Sequence, residues 1–159
     1  MLMFTSRCLI LFLTCLFPIA ASCQTAAHSA VDTSVYAILN YDSSVARAMY
    51  KFNKVKPATL SIAEVNDMEQ LIDSAFQDYN THNPYSQLAA PLSGYKRQYV
   101  AVINRRGQKE VWINFFCSEF DTDWRHHVLL VNDGGSCYFH LRINLSSRKA
   151  GKIFPNGVA

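Results

Sequence analysis

"KRQYVAVINRRGQKEVWINFFCS", residues 96–118, decides the fold. Two runs rich in Val, Ile, Tyr, Phe and Trp flank "RRG" at Arg105–Gly107. β-branched and aromatic side chains fit a pleated, half-buried surface. A short Gly-containing loop between two such runs predicts a β-hairpin. Side chains alternate across a strand. In the return run Val111, Ile113, Phe115 and Cys117 therefore share one face, and Trp112, Asn114 and Phe116 share the other.

The C-terminal side supplies more strand signal. "SEFDTDW" (Ser118–Trp124) is a polar excursion, and "RHHVLLV" (Arg125–Val131) reads as a short strand. "NDGG" (Asn132–Gly135) tolerates positive φ and reads as the turn of a hairpin. "SCYFHLRINL" (Ser136–Leu145) has the cleanest alternation in the chain. Cys137, Phe139, Leu141, Ile143 and Leu145 point one way, and Tyr138, His140, Arg142 and Asn144 the other, so one side is buried and one wet. The tail "RKAGKIFPNGVA" adds a last short strand near Lys152–Phe154.

The N-terminal side supplies the helix. "SIAE" (Ser61–Glu64) is a capping box, in which hydroxyl and carboxylate satisfy each other's amides. Val65, Met68, Ile72, Ala75 or Phe76, and Tyr79 recur at helical spacing, and the helix is expected to end near Asn80. Its Met, Ile and Phe face is core packing rather than a cofactor box. "VYAILNY" (Val35–Tyr41) predicts a strand. Residues 42–57, "DSSVARAMYKFNKVKP", admit a short helix around Ala46–Met49 or an extended arm running to an edge strand at Pro57. The expected architecture is α+β: one amphipathic helix on an antiparallel sheet of four to five strands. The outline is cystatin-like, an analogy of shape that gives no function.

The chain has 159 residues, half of them apolar, which suits a single domain with a real core. The opening "MLMFTSRCLILFLTCLFPIAASCQ" stands apart from it. Arg7, an apolar run Cys8–Phe17, Pro18 and small residues are the parts of a secretory signal peptide over 1–23. "AASC" before Gln24 resembles a lipobox, which would lipidate Cys23; ordinary cleavage after Ser22 or Cys23 fits the same residues. Residues 24–34 read as a tether and 35–159 as the domain. Loss of Arg7 leaves 14 basic against 12 acidic side chains, a net +2 spread along the chain. That predicts neither a nucleic acid partner nor an acidic membrane surface. Membrane attachment is expected only through a lipid on Cys23, with the protein exported to the periplasm or the outer membrane.

Three stretches, "KPATLSIAE", "YKRQYVAVINRRGQKEVWINFFC" and "VNDGGSCYFHLRINL" with the closing "NGVA", resemble a group of small exported proteins of Bacteroidetes-type bacteria. The resemblance spans roughly residues 55–159. It implies export, often with a lipobox, and implies no catalytic residue, cofactor or substrate. Members often carry a further cysteine where this chain has Phe115 or Phe116, which argues against a metal site of clustered thiols.

Four groups of residues are candidates for chemistry or binding. Cys137, His126 or His127, and Asp133 are the residue types of a Cys-His-acid triad. Cys137, however, shares parity with Phe139 and Leu141, and a core-facing thiol is inert. His126 and His127 would face opposite sides of a strand, and His140 with one of them gives two imidazoles where zinc wants three or four ligands. "EFDTD" (Glu119–Asp123) is too short for a calcium loop. Glu110, Glu119, Asp121 and Asp123 form no spaced pair for glycoside hydrolysis. We expect no catalytic residue, cofactor or metal ligand. The fourth group is an aromatic face of Trp112, Phe116, Tyr138 and Trp124, with His140 beside it. If exposed it is a platform for a protein or glycan; if covered by the N-terminal strands it is a second small core.

Export favours a disulfide between Cys117 and Cys137. Strand order decides. In a simple meander of 109–117, 126–131 and 136–145 the two sulfurs would lie on the order of 20 Å apart. With 118–134 as a crossing loop they would meet. The apolar "HVLLV" favours the meander, and with it two buried free thiols. The function expected is an exported, non-enzymatic domain binding a protein or glycan at the cell envelope. A thiol-dependent hydrolase using Cys137 with His126 or His127, and a structural envelope lipoprotein, are the alternatives.

Overall fold

A computed structural model describes residues 32–42, 55–118 and 123–157. The expected signal peptide over 1–23, Cys23, the stretch 43–54, Glu119, Asp121 and the last two residues lie outside the described residues. The elements are β1 (Tyr36–Leu39), β2 (Lys56–Pro57), α1 (Ile62–His82), β3 (Lys96–Ile103), β4 (Lys109–Phe116), β5 (Tyr138–Asn144), β6 (Lys149–Ala150) and β7 (Phe154–Pro155).

Among the described residues the architecture is α+β, one α-helix on a single sheet, but the sheet differs from the expected one. It has seven strands and is mixed. β1 runs parallel to β3, with Tyr36 against Arg97 and Leu39 against Val100. A long connection that includes α1 separates these two strands, and such a crossover permits parallel pairing where a tight hairpin does not. β2 pairs antiparallel with the far end of β3, Pro57 against Val102, so a proline sits on an edge as its missing N–H requires. β3, β4 and β5 form an antiparallel centre. β6 and β7, two residues each, both pair with β5.

The central hairpin turns at Asn104–Gly107. Gly107 has φ +74°, and Asn104 Oδ1 accepts from the amides of Arg106 and Gln108 at 2.9 and 3.0 Å. The capping box forms in full. Ser61 Oγ accepts from the Glu64 amide at 3.2 Å, and Glu64 Oε2 accepts from the Ser61 amide at 2.9 Å. The helix runs slightly past the expected end, because Asn83 donates to the Tyr79 carbonyl through both its amide and its side chain.

Val65, Met68, Ile72 and Phe76 bury against Tyr99, Ile113, Phe115, Phe139 and Leu141 to make the main core. Phe115 and Phe139, partners in the β4–β5 register, stack at 4.3 Å. A polar contact fixes α1 on the sheet. Arg97 Nη1 donates to both Glu69 carboxylate oxygens at 2.7 Å, and the Tyr99 hydroxyl donates to Glu69 Oε1 at 2.9 Å. Burial first, and the Glu69 carboxylate second, hold the Tyr99 phenol far above its ordinary value.

The other sheet face carries a second core of Val100, Val102, Trp112, Phe116 and Tyr138 with Ala37 and Leu39 of β1. "RHHVLLV" is not a strand. Residues 123–131 form turns and an extended segment whose Trp124 and Leu129 roof this core. A strand would have satisfied its backbone on a neighbour. Here the side chain of Gln98, fully buried on β3, does that work. Gln98 Nε2 donates to the carbonyls of Trp124 and His127, and its Oε1 accepts from the Leu129 amide at 3.0 Å. Asn114 donates to the Leu129 carbonyl at 2.9 Å. Arg125 fastens the near end, donating to the carbonyls of Tyr36 and Ser34 with its guanidinium 4.3 Å from the Trp124 ring.

With 123–131 laid over the sheet instead of joining it, β4 and β5 are direct antiparallel neighbours. Cys117 and Cys137 then meet with Cα atoms 5.1 Å apart, and they form a disulfide. This overturns the expectation of two buried free thiols, whose premise was a strand at 126–131. "NDGG" adopts positive φ as read, at Gly134 (+105°) and Gly135 (+57°). It leads into a short 3-10 turn, Gly135–Cys137, rather than closing a hairpin.

Candidate functional site

The aromatic face singled out in the sequence is a core and not an open platform. Trp112 is 6% exposed, Phe116 0% and Tyr138 4%, because the Trp124–Leu129 roof and β1 cover them. Phe116 meets Trp124 edge to face at 5.3 Å and is enclosed. The Tyr138 hydroxyl donates to the Ser118 carbonyl at 2.9 Å. The roof, however, stops short of the β5 edge.

A groove of about 370 Å³ opens there. Trp112, Asn114, Tyr138 and His140 line it from the sheet, Leu130 and Asn132 from the loop, and Asn156 from the tail. Trp112, Tyr138 and His140 of the expected surface thus come together, and Phe116 does not. The β7 register sets Phe154 directly opposite His140. The two rings stack at 5.3 Å and 16°, and the Trp112 ring lies 6.3 Å from His140 on its other side. Leu130, 64% exposed, puts an apolar side chain on the groove wall, and Phe154, 49% exposed, stands beside His140 outside the lining itself. Asn156 ties the tail to the loop. Its amide donates to the Tyr138 carbonyl at 2.8 Å, and its side chain donates to the Val131 carbonyl.

The remaining candidates fall elsewhere. His126 and His127 do not face opposite ways, since a turn replaces the expected strand. Nδ1 of each approaches the Asp123 carboxylate, His127 at 3.3 Å. Among the described residues no three His, Cys, Asp or Glu side chains are arranged to hold a metal ion. These histidines line a hollow against Ile38–Asn40 beside β1. Cys137 leads β5, with β3 and β4 between. A disulfide sulfur offers no thiolate, and neither histidine lines a site with it. Glu110 accepts from Asn104 at 2.6 Å and serves the hairpin. A cavity of about 730 Å³ lies between the end of α1 and residues 150–153. Its His82–Asp78 pair, 3.1 Å apart, stands in solvent on both sides.

Gln98, Asn156 and Phe154 are the residues that sequence reading missed. Gln98 interrupts a run otherwise rich in apolar residues, and a lone polar residue at a core position marks a buried hydrogen-bonding task. Nothing in the sequence pointed to the pairing of Phe154 with His140. No described helix is long and apolar enough to cross a membrane. Comparison with protein-family models, with curated proteins and with solved structures finds no match to this chain.

Proposed function

We propose that the protein is an exported, non-enzymatic binding domain of the cell envelope that takes a protein or glycan ligand in the groove beside β5. The observation that carries this reading is the groove itself. It is concave, within the size range of ligand sites, floored by aromatic and amide side chains and rimmed by exposed Leu130. Large apolar side chains exposed together at a concavity mark interaction sites more often than scattered ones do. The Cys117–Cys137 disulfide supports export, since such bonds persist in oxidising compartments. The N-terminal signal and a lipid on Cys23 would hold the domain at the envelope through residues 24–34.

Co-sedimentation of the purified protein with envelopes of its host cell tests the reading. Leu130→Glu should abolish co-sedimentation, and Tyr85→Glu, at a fully exposed site remote from the groove residues in sequence, should leave it intact. Equal binding by the two variants would refute it.

A further inference from the structure

We infer that the groove's ligand is a neutral saccharide, a conclusion that rests on the binding-domain reading and narrows it. The first ground is charge. Among the described residues, the groove is lined without a single Asp, Glu, Lys or Arg side chain. The cavities beside α1 and β1 each carry both signs, through Asp78 and Lys152 and through Asp42 and Arg125. Arg142, two residues along β5 from His140, has the Glu110 carboxylate as its counter-charge. An ionic ligand would have to shed water with no carboxylate, ammonium or guanidinium in the described lining to pair with it.

The second ground is the donor and acceptor set. Asn114 and Asn156 each donate through Nδ2 to a loop carbonyl, at Leu129 and Val131. Those bonds fix the two amide planes and leave Oδ1 of each to accept from a ligand. Asn132 is exposed on the wall above them. Pre-oriented amides beside aromatic rings match a ligand whose edges are hydroxyl groups and whose faces are C–H. Phe154, next to the lining rather than in it, extends the apolar face with a half-exposed ring held against His140 by the β7 register.

The third ground disfavours a peptide. Extended peptides dock by adding a strand to an open sheet edge. The outer edge of β5 is already paired, to β7 at Phe139–His140 and to β6 at Ile143–Asn144, and between them Arg142 O accepts from Gly151 N at 2.7 Å.

The test is titration of the ¹⁵N-labelled purified protein with neutral trisaccharides, cellotriose, maltotriose, mannotriose and N-acetylchitotriose, at millimolar concentrations. At least one should shift the Trp112 indole and the Asn132 and Asn156 side-chain amide signals. Phe154→Ser should weaken that sugar about tenfold, and Phe154→Tyr, which keeps the ring, should retain it. Absence of shifts with all four sugars overturns the saccharide assignment. If Leu130→Glu still abolishes envelope binding in that case, the binding domain stands and only its ligand is wrong; if it does not, both fall.

Discussion

Gln98 on β3 and Asn114 on β4 stand directly opposite each other, and Asn114 Nδ2 donates to Gln98 Oε1 at 3.0 Å. Together the two amides bind the loop that roofs the second core. Gln98→Leu keeps the volume and removes every hydrogen bond of the Gln98 side chain. It strands the carbonyls of Trp124 and His127 and the amide of Leu129 under cover. Each buried group left unpaired costs about 1–3 kcal/mol, partly relieved as the loop lifts towards water. We expect a loss of roughly 2–4 kcal/mol in urea unfolding and a red shift in Trp124 emission as the roof loosens. A variant as stable as the parent would show that the clamp is idle.

The disulfide closes the same loop. Its sequence separation is 20 residues. In the chain-entropy account a loop of that length contributes about 3 kcal/mol. Cys117→Ser with Cys137→Ser should lower stability by about that amount and leave the α1 core folded. Thiol titration of the denatured, unreduced protein should find neither Cys117 nor Cys137 reactive. Two reactive thiols there would restore the free-thiol reading.

Gly134 has φ +105°, and a Cβ placed on it would come within 2.5 Å of Tyr138 Cδ2. Both conformation and contact oppose a side chain. Gly134→Ala should cost more than about 1 kcal/mol. It should also disturb the Trp112 and His140 signals, because Tyr138 shares the groove wall. Unchanged spectra would mean that the turn is not coupled to the groove.

The helix start carries a pH response. Partial burial works against ionisation of Glu64, but hydrogen bonds from Lys109 and from the Ser61 amide and hydroxyl outweigh it and hold its carboxyl below the usual glutamate range. Lys109 Nζ lies 2.5 Å from Glu64 Oε1. A folded-state value below the unfolded one means stability that is present above the ordinary glutamate range and lost as pH falls through the lowered value. The contribution is on the order of 0.5 kcal/mol, since the pair is partly solvated. Glu64→Gln should therefore be less stable than the parent at neutral pH, with the difference shrinking below about pH 4. A difference independent of pH would assign the effect to helix capping alone.

Much of this fold was legible, and the failures have one origin. Ser61–Glu64, the Val65–Phe76 face, the hairpin at Gly107 and the alternation of Tyr138–Asn144 are local signals, and each appears where it was read. "HVLLV" misled because two opposite structures share its pattern. An apolar run covers a core equally well as a strand or as a loop, and its backbone partners decide which. Those partners are Gln98 and Asn114, distant in sequence. The cysteine pairing failed with it, as one wrong strand separates the sulfurs. The parallel β1 was hidden in the same way, because nothing in "YAIL" records the direction of its neighbour. At the site, Trp112, Tyr138 and His140 were found by parity, but their burial depended on that loop. Phe154 reaches His140 only through two residues of β7.

The most direct test of the binding claim is a photo-crosslinking amino acid at position 130, on the groove wall, in the protein expressed in its own cells. A second at position 85, fully exposed, serves as the reference. Illumination should give a discrete adduct at 130 and none at 85. No adduct at 130, or equal labelling at both positions, would contradict a ligand in the groove.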